Sequence, residues 1–593
     1  MKRLRILASR RLVAVSDLGT INFGAIIQIL TQKLSDHIAA CLLVHLKAYQ
    51  TAPLTHWSIL MKQQPPSRQQ NILIIIADEW RPDQLGMDQA LTPNYQALAR
   101  DGICFRKHYG QVMPCAPARA SIHTGLYAMT HRVVTNGSPL ARHHKNFAQH
   151  LRSHGYGPML FGYSDSALDP LGLQPRDPDL RDSEGRLSGI SVGALVGANP
   201  LATRHDPWRA YLRQKGYKFA HPRDVYLPDY SQKNGNGGIA GHPAMYSADD
   251  SDTAFLTDQF LSWLSDQTSH WCSMLCYLRP HPPFTAPAPY NSAVVPSSLP
   301  PMRRTITWQE QAATHPFMNF QMEHGDASET FHSLTGLARD ISNTDWMSVR
   351  AVYCGLMLEV DHHLGRIVTA LKQANQYENT LIVFTSDHGD PIGDFWLGNQ
   401  LSWHDIQAHL PLIIRDPSAD ARTLDGTDIN MFTESVDILP TVLDWLRMEI
   451  PPEIDGMSLL PFLKGNKPAN WRHYVHWEYN FPSPPEPLIG AGLGISEDES
   501  MMSVIRDDDF KHVFFPALDP ILIDLKNDPE ELTNLAKDPK FSKIERDYIA
   551  EQLRLRILHA DRRTSTTVLR SDGRVTRKSE RGKLKPVLDA SEV

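Results

Sequence analysis

Within PCAPARASIHTGLY (114–127), Cys115 is followed two residues on by Pro117 and two further on by Arg119. A proline in the first turn of a helix gives up no hydrogen bond, so this spacing predicts a helix beginning at the cysteine. The thiol position then lies beside free backbone N–H groups, at the helix end that favours an anion. Arg119, four residues on, sits about one turn away on the same face. Such a pair is a nucleophile and a charge clamp suited to a tetrahedral anion. It is not the thiol-phosphatase loop, which needs a longer interval. Here three residues separate Cys from Arg, and Ser121 stands where that arginine would fall. The competing reading is a plain buried cysteine near a structural arginine.

More chemistry stands where strands are expected to end. NILIIIADEW (71–80) is a continuous apolar run closing on acids, as in a strand buried on both faces. It delivers Asp78 and Glu79. TLIVFTSDHGD delivers Asp387 and His388, HWCSMLCYLRPHPPF delivers Arg279 and His281, and GPMLFGYSDS delivers Tyr163 and Asp165. Ligands of open α/β sheets bind outside the carboxyl ends of the strands. One acid after a strand is often only a helix cap, but two Asp-led pairs with a histidine point to a divalent-ion site at Asp78, Asp387 and His388. Carboxylates suit Ca²⁺ or Mg²⁺, and the imidazole widens the choice to Mn²⁺ or Zn²⁺. The tandem pairs His143-His144 and His362-His363 lie on or beside helical segments and read as solvated or packing residues.

The elements that must position these groups alternate. Amphipathic helices are expected over NFAQHLRSHGY, TAFLTDQFLSWLSDQ and VRAVYCGLMLEVDHHLGRIVTALKQANQY. Apolar strands alternating with helices imply an α/β fold, a mostly parallel sheet covered on both faces. Residues 169–250 and 285–335, polar and rich in Pro, Gly and Ser, read as long excursions on the sheet rim. From 471 the strands shorten (MMSVIRDDD, FKHVFFPA, ILIDL), which predicts a smaller antiparallel unit. The expected organisation is an N-terminal extension (1–70), a catalytic domain (71–465), a small C-terminal α+β domain (466–560) and a polar tail (561–593). Met61 reads as the true start, with 1–60 a start-site artefact or dispensable.

The 593 residues are 41% hydrophobic and 21% charged, with net charge −7. That mild acidity disfavours nucleic acid or an anionic membrane as partner. Six cysteines form no disulfide framework, and Cys272 and Cys276 read as buried fillers. The basic start lacks a clean apolar core and cleavage site. The chain therefore reads as cytoplasmic.

CAPARASIHTG resembles the C-x-P-x-R…T-G signature of type I sulfatases in the alkaline-phosphatase superfamily. ADEWRPD, LRPHPPF, VYCGLMLEVDHHLGR, FTSDHGD, ESVDILPTVLDWL and ILIDLKNDPEELTNLA are most similar to its phosphonate monoester hydrolase and phosphodiesterase branch. The resemblance implies an alkaline-phosphatase-like fold. It implies one divalent ion held by Asp78, Asp387, His388 and position 115, and formylglycine made from Cys115 by a maturation enzyme that reads Cys, Pro and Arg. One hydroxyl of the hydrated aldehyde would attack phosphorus or sulfur, and the covalent ester would break as the second hydroxyl re-forms the carbonyl. Arg119 would steady nucleophile and anion. Asn136, Tyr163 and His281 would line the substrate pocket, with His281 giving a proton to the leaving oxygen. The family often forms dimers or tetramers, and the tail fits an intersubunit arm.

Three positions depart from the pattern. Glu79 stands where the family has Asp or Gln, as a metal ligand or a residue just behind one. Gln400 falls where a substrate-binding lysine is usual, and Asp165 where a small hydroxyl residue is usual. A pocket with fewer cations and an extra acid favours a monoanion: a phosphonate monoester or phosphodiester first, a sulfate ester as in arylsulfatases second. A member that binds anions without turnover is the remaining alternative.

Overall fold

In this computed structural model the described residues are 70–560, apart from 178–179, 181, 183, 198–205, 332–333, 401 and 482–488, together with strands Thr567–Arg570 and Gly573–Thr576. The expected extension lies outside them up to residue 69, and the proposed tail is described only as those two strands, which pair antiparallel.

The strands used below are β1 (Asn71–Ala77), β2 (Ile103–Tyr109), β3 (Val112–Met113), β4 (Met159–Gly162), β5 (Ser191–Leu195), β6 (Cys272–Tyr277), β7 (Thr380–Thr385), β8 (His409–Leu410), β9 (Leu412–Arg415), β10 (Asp428–Glu434), β11 (Val475–Asn480), β12 (Met501–Arg506), β13 (Phe510–Phe514) and β14 (Ile521–Asp524). The central sheet runs β8-β2-β9-β7-β1-β6-β4-β5, with β10 paired to β2. β1 lies between β6 and β7, parallel to both, with Ile74 opposite Met274 on one side and Val383 on the other. All seven of its residues are buried, as its unbroken apolar run requires. β9 runs antiparallel to β7 and β2, so the sheet is mixed but mostly parallel. Cys272 and Cys276 are buried within β6, as expected.

The helices that matter for the site are α1 (Cys115–Thr124), α2 (Asp252–Ser265), α3 (Asn343–Gln373) and α4 (Ser542–Leu558). α1 begins at the cysteine and ends at Gly125, whose φ of 66° belongs to the left-handed region that glycine tolerates. All ten of its residues are buried. α3 starts earlier than the pattern suggested, because the Ser342 side chain accepts from Asp345 N and caps it.

Two expectations change. The stretch 169–250 supplies an edge strand of the main sheet, β5, and the helix Pro207–Gln214. The sequence SVGAL hid the strand because its glycine has no side chain to show alternation; a Cβ on Gly193 would strike the Phe161 ring. Residues 285–335 likewise fold into short helices, Trp308–Ala312, Pro316–His324 and Ala327–Thr330.

The second sheet runs β14-β13-β12-β11-β3. Its later strands fall where the sequence placed them. Its fifth member, β3, comes from just before α1, with Val112 opposite Glu478 and Met113 opposite Tyr479. Helix α1 therefore starts where the chain has just been pinned to the smaller sheet. Among the described residues no helix is long and apolar enough to cross a membrane.

Candidate active site

Strands β7, β1, β6 and β4 are neighbours in the sheet and mutually parallel. Their carboxyl ends therefore open on one edge, and each delivers the groups expected of it. Gly162 closes β4 at φ 99° against the backbone of Cys276; a Cβ there would sit 1.9 Å from the Cys276 carbonyl oxygen. That contact turns the chain toward Tyr163 and Asp165.

Ligand atoms of Asp78, Cys115, Asp387 and His388 all lie within 4.8 Å of one another, and all four residues are buried. Asp78 Oδ1 has no hydrogen-bond partner. His388 Nδ1 faces the Gly389 carbonyl at 3.2 Å, and donation there leaves Nε2 as the free lone pair. Nε2 lies 3.1 Å from Cys115 Sγ. Two carboxylates, an imidazole and position 115 around one point, with a buried carboxylate oxygen unpaired, fit a small divalent cation.

Arg119 braces this cluster from behind. Nε donates to Asp387 Oδ2 at 2.8 Å, Nη2 to Asp78 Oδ2 at 3.0 Å and Nη1 to the Tyr163 carbonyl at 2.8 Å. Its guanidinium stacks 3.9 Å from the centre of the Tyr163 ring. Burial would raise both aspartates. For Asp387 the fields of Arg119 and His388 win and hold it at about 2; for Asp78 burial and repulsion from Asp387 prevail and push it well up. Burial, together with Asp78 and Asp387, also pushes the Cys115 thiol well above its ordinary range.

Of the residues expected on the substrate side, Asn136, Tyr163, Asp165 and His281 lie beside this cluster. The Asn136 side chain accepts from Ala116 N at 2.9 Å, at the first turn of α1. The Tyr163 hydroxyl is buried without a partner. Asp165 is buried at φ 47°, with Oδ1 unpaired. Burial, opposed by Arg119 and assisted by Asp387, pushes it up to about 7. His281 Nε2 faces Glu79 Oε1 at 3.6 Å, and its Nδ1 contacts the Pro282 carbonyl. Burial lowers His281 to about 4. Gln400 is half-buried in the loop after Leu397, and among the described residues no hydrogen bond joins it to the cluster. Neither tandem histidine pair belongs to the ligand clusters of the described residues.

Sequence reasoning passed over the groups that hold Glu79. Asp390, in the quoted FTSDHGD, is buried beside it; burial pushes Glu79 well up, and repulsion from Asp390 adds to it. Tyr353, on α3, donates to the Glu79 carbonyl at 2.6 Å and accepts from Arg81 N at 3.0 Å, fixing Glu79 at φ 61°. Both lie in quoted motifs, Asp390 in FTSDHGD and Tyr353 in VYCGLMLEVDHHLGR, but no role at the site was read for either.

Comparison with known proteins places this geometry. The sulfatase family model matches residues 70–448, and a model of the C-terminal region of N-sulphoglucosamine sulphohydrolase matches 396–558. The chain belongs to the sulfatase family and is an ester hydrolase. It is 36% identical over 503 residues to the multifunctional alkaline phosphatase superfamily protein PehA of Trinickia caryophylli, covering 83% of this chain and 96% of that one. The phosphonate monoester hydrolase of Agrobacterium radiobacter superposes with a TM-score of 0.80 at 38% identity, covering 86% of this chain and 100% of that one. Phosphonate monoester hydrolase SpPMH from Silicibacter pomeroyi gives 0.79 at 37%, with 86% and 99% covered.

Proposed function

We propose that this chain is a metal-dependent hydrolase of phosphonate monoesters and phosphodiesters whose nucleophile derives from Cys115. The observation that carries the reading is the convergence of Asp78, Cys115, Asp387 and His388 within 4.8 Å, in a chain whose solved relatives at 37% and 38% identity are phosphonate monoester hydrolases.

A divalent ion at this point would polarise the ester and favour the ionised form of a neighbouring hydroxyl. Oxidation of Cys115 to formylglycine, by a maturation enzyme that reads Cys-x-Pro-x-Arg, would supply that hydroxyl from the aldehyde hydrate. Asp78, Asp387 and His388, with position 115, would hold the ion. Arg119 holds one oxygen of each carboxylate through separate N–H groups, which would leave the other oxygens for the ion. Asn136 fixes the first turn of the nucleophile helix. Glu79 Oε1 and His281 Nε2 lie 3.6 Å apart and group with Asp78 as possible ligands, so Glu79 would serve the ion directly or from just behind it, and His281 would give a proton to the leaving oxygen. Asp165, the unpaired Tyr163 hydroxyl and a glutamine at position 400 make a pocket suited to a monoanion. The same reading includes a homodimer or homotetramer as the assembly and the cytoplasm as the location. Sulfate monoesters are also monoanions, so an arylsulfatase preference is the second reading.

The test is turnover of matched p-nitrophenyl esters by metal-loaded protein with confirmed formylglycine at 115. A preference for phosphodiester and phenylphosphonate over sulfate and phosphate monoester supports the proposal. A sulfate preference moves the chain to the sulfatases, and no turnover of any ester overturns the mechanism.

A further inference from the structure

His281 stands on an unusual turn. In Arg279-Pro280-His281-Pro282-Pro283 the three prolines have no backbone N–H to donate. Within 280–283 the one N–H is that of His281, which bonds back to Leu278 O at 3.0 Å. A turn so poor in donors needs another source of rigidity if its imidazole is to meet a reacting oxygen.

Arg279 provides it. The side chain is fully buried at the end of β6. Its Nη1 donates to the His281 carbonyl at 2.9 Å and to the Pro283 carbonyl at 3.0 Å, clamping both ends of the histidine's turn. On its other side Nε lies 3.4 Å from Asp252 Oδ2, at the first residue of α2, and the guanidinium lies 4.6 Å from the centre of the Tyr226 ring. The Tyr226 hydroxyl donates to the same Asp252 oxygen at 3.1 Å. A buried guanidinium is costly unless its charge is balanced, and Asp252 balances it. Both carbonyl contacts fall on the turn that carries His281.

We propose that Arg279, charge-balanced by Asp252, is the positioning residue for His281, holding the turn so that Nε2 faces Glu79 and the leaving oxygen. The inference rests on the reading of His281 as the proton donor.

The test uses metal-loaded enzyme with confirmed formylglycine and a series of aryl phenylphosphonates of graded leaving-group pKa. The variants are Arg279→Gln, Arg279→Lys, His281→Asn and the double variant Arg279→Gln/His281→Asn. Loss of the proton donor should slow poor leaving groups by on the order of 100-fold while barely affecting p-nitrophenol. Arg279→Gln should reproduce that steeper dependence with unchanged metal content, and the double variant should be no slower than His281→Asn. Arg279→Lys keeps the buried cation but not the planar fork. It should fold, bind metal and show an intermediate steepening, which keeps the test decisive if Arg279→Gln is unstable. Equal slowing of every ester, or losses additive with His281→Asn, would overturn the positioning role while leaving the proposed reaction intact. A flat leaving-group dependence in His281→Asn would instead refute the proton-donor reading, and the inference with it.

Discussion

Replacing Glu359 by Gln should change the pH dependence of stability in a direction the structure dictates. Glu359 is fully buried on α3. Burial, reinforced by the Asp252 charge and only partly offset by Arg279, pushes its carboxyl from the ordinary 4.5 up to about 8. Between those values the native state holds a proton that the unfolded chain has released. Stability therefore falls as pH rises through this window, by about 1.4 kcal/mol per pH unit and about 5 kcal/mol across it. Gln keeps the shape and removes the titration. The variant should match the wild type near pH 4.5 and gain on it as pH rises, by about 3 kcal/mol between pH 5.5 and 7.5. Urea denaturation of both proteins at pH 5.5, 6.5 and 7.5 measures the difference directly. A difference that stays constant with pH, or shrinks, refutes the argument that burial holds Glu359 protonated.

Three further outcomes follow from the site. Arg119→Met leaves two fully buried aspartates without their cation and should cost about 3–5 kcal/mol in metal-free protein; calorimetry with and without added divalent ion should show the ion recovering much of it. Gln400→Lys should raise turnover of dianionic phosphate monoesters relative to diesters, since an added cation gains more from two charges than from one; an unchanged ratio would place Gln400 outside the pocket. The motif Cys115 to Arg119 is buried in α1, so a maturation enzyme should convert it before folding and not after. Mass spectrometry of the 115 peptide should show sulfur and two hydrogens replaced by oxygen only when the enzyme meets the unfolded chain; conversion of folded protein would contradict the buried geometry.

Much of the site was legible because its parts are local. The run NILIIIA ends in Asp78, and TLIVFT is followed within two residues by Asp387. In a parallel sheet, strand ends on one edge must gather. The helix at Cys115 was legible from Pro117. β5 was missed because an edge strand with a glycine in its middle shows no alternation, and the short helices of 285–335 because none is long enough to carry a period. Tyr353 was missed because its place on the site is set by where α3 crosses the sheet, not by anything near it in sequence.

By itself, then, the sequence determined which groups stand at which strand ends, where the helix of Cys115 begins, and which family carries that order of motifs. These are properties of short windows, written in hydrophobic period and turn chemistry. Only the tertiary structure decided how the groups are used. Arg119 spends all three of its nitrogens on Asp387, Asp78 and Tyr163, partners up to 268 residues away. β3 pins the start of α1 to a strand that follows more than 350 residues later, and Tyr353 on α3 reaches the Glu79 carbonyl. Such contacts arise from packing between distant segments, whose geometry no local pattern encodes.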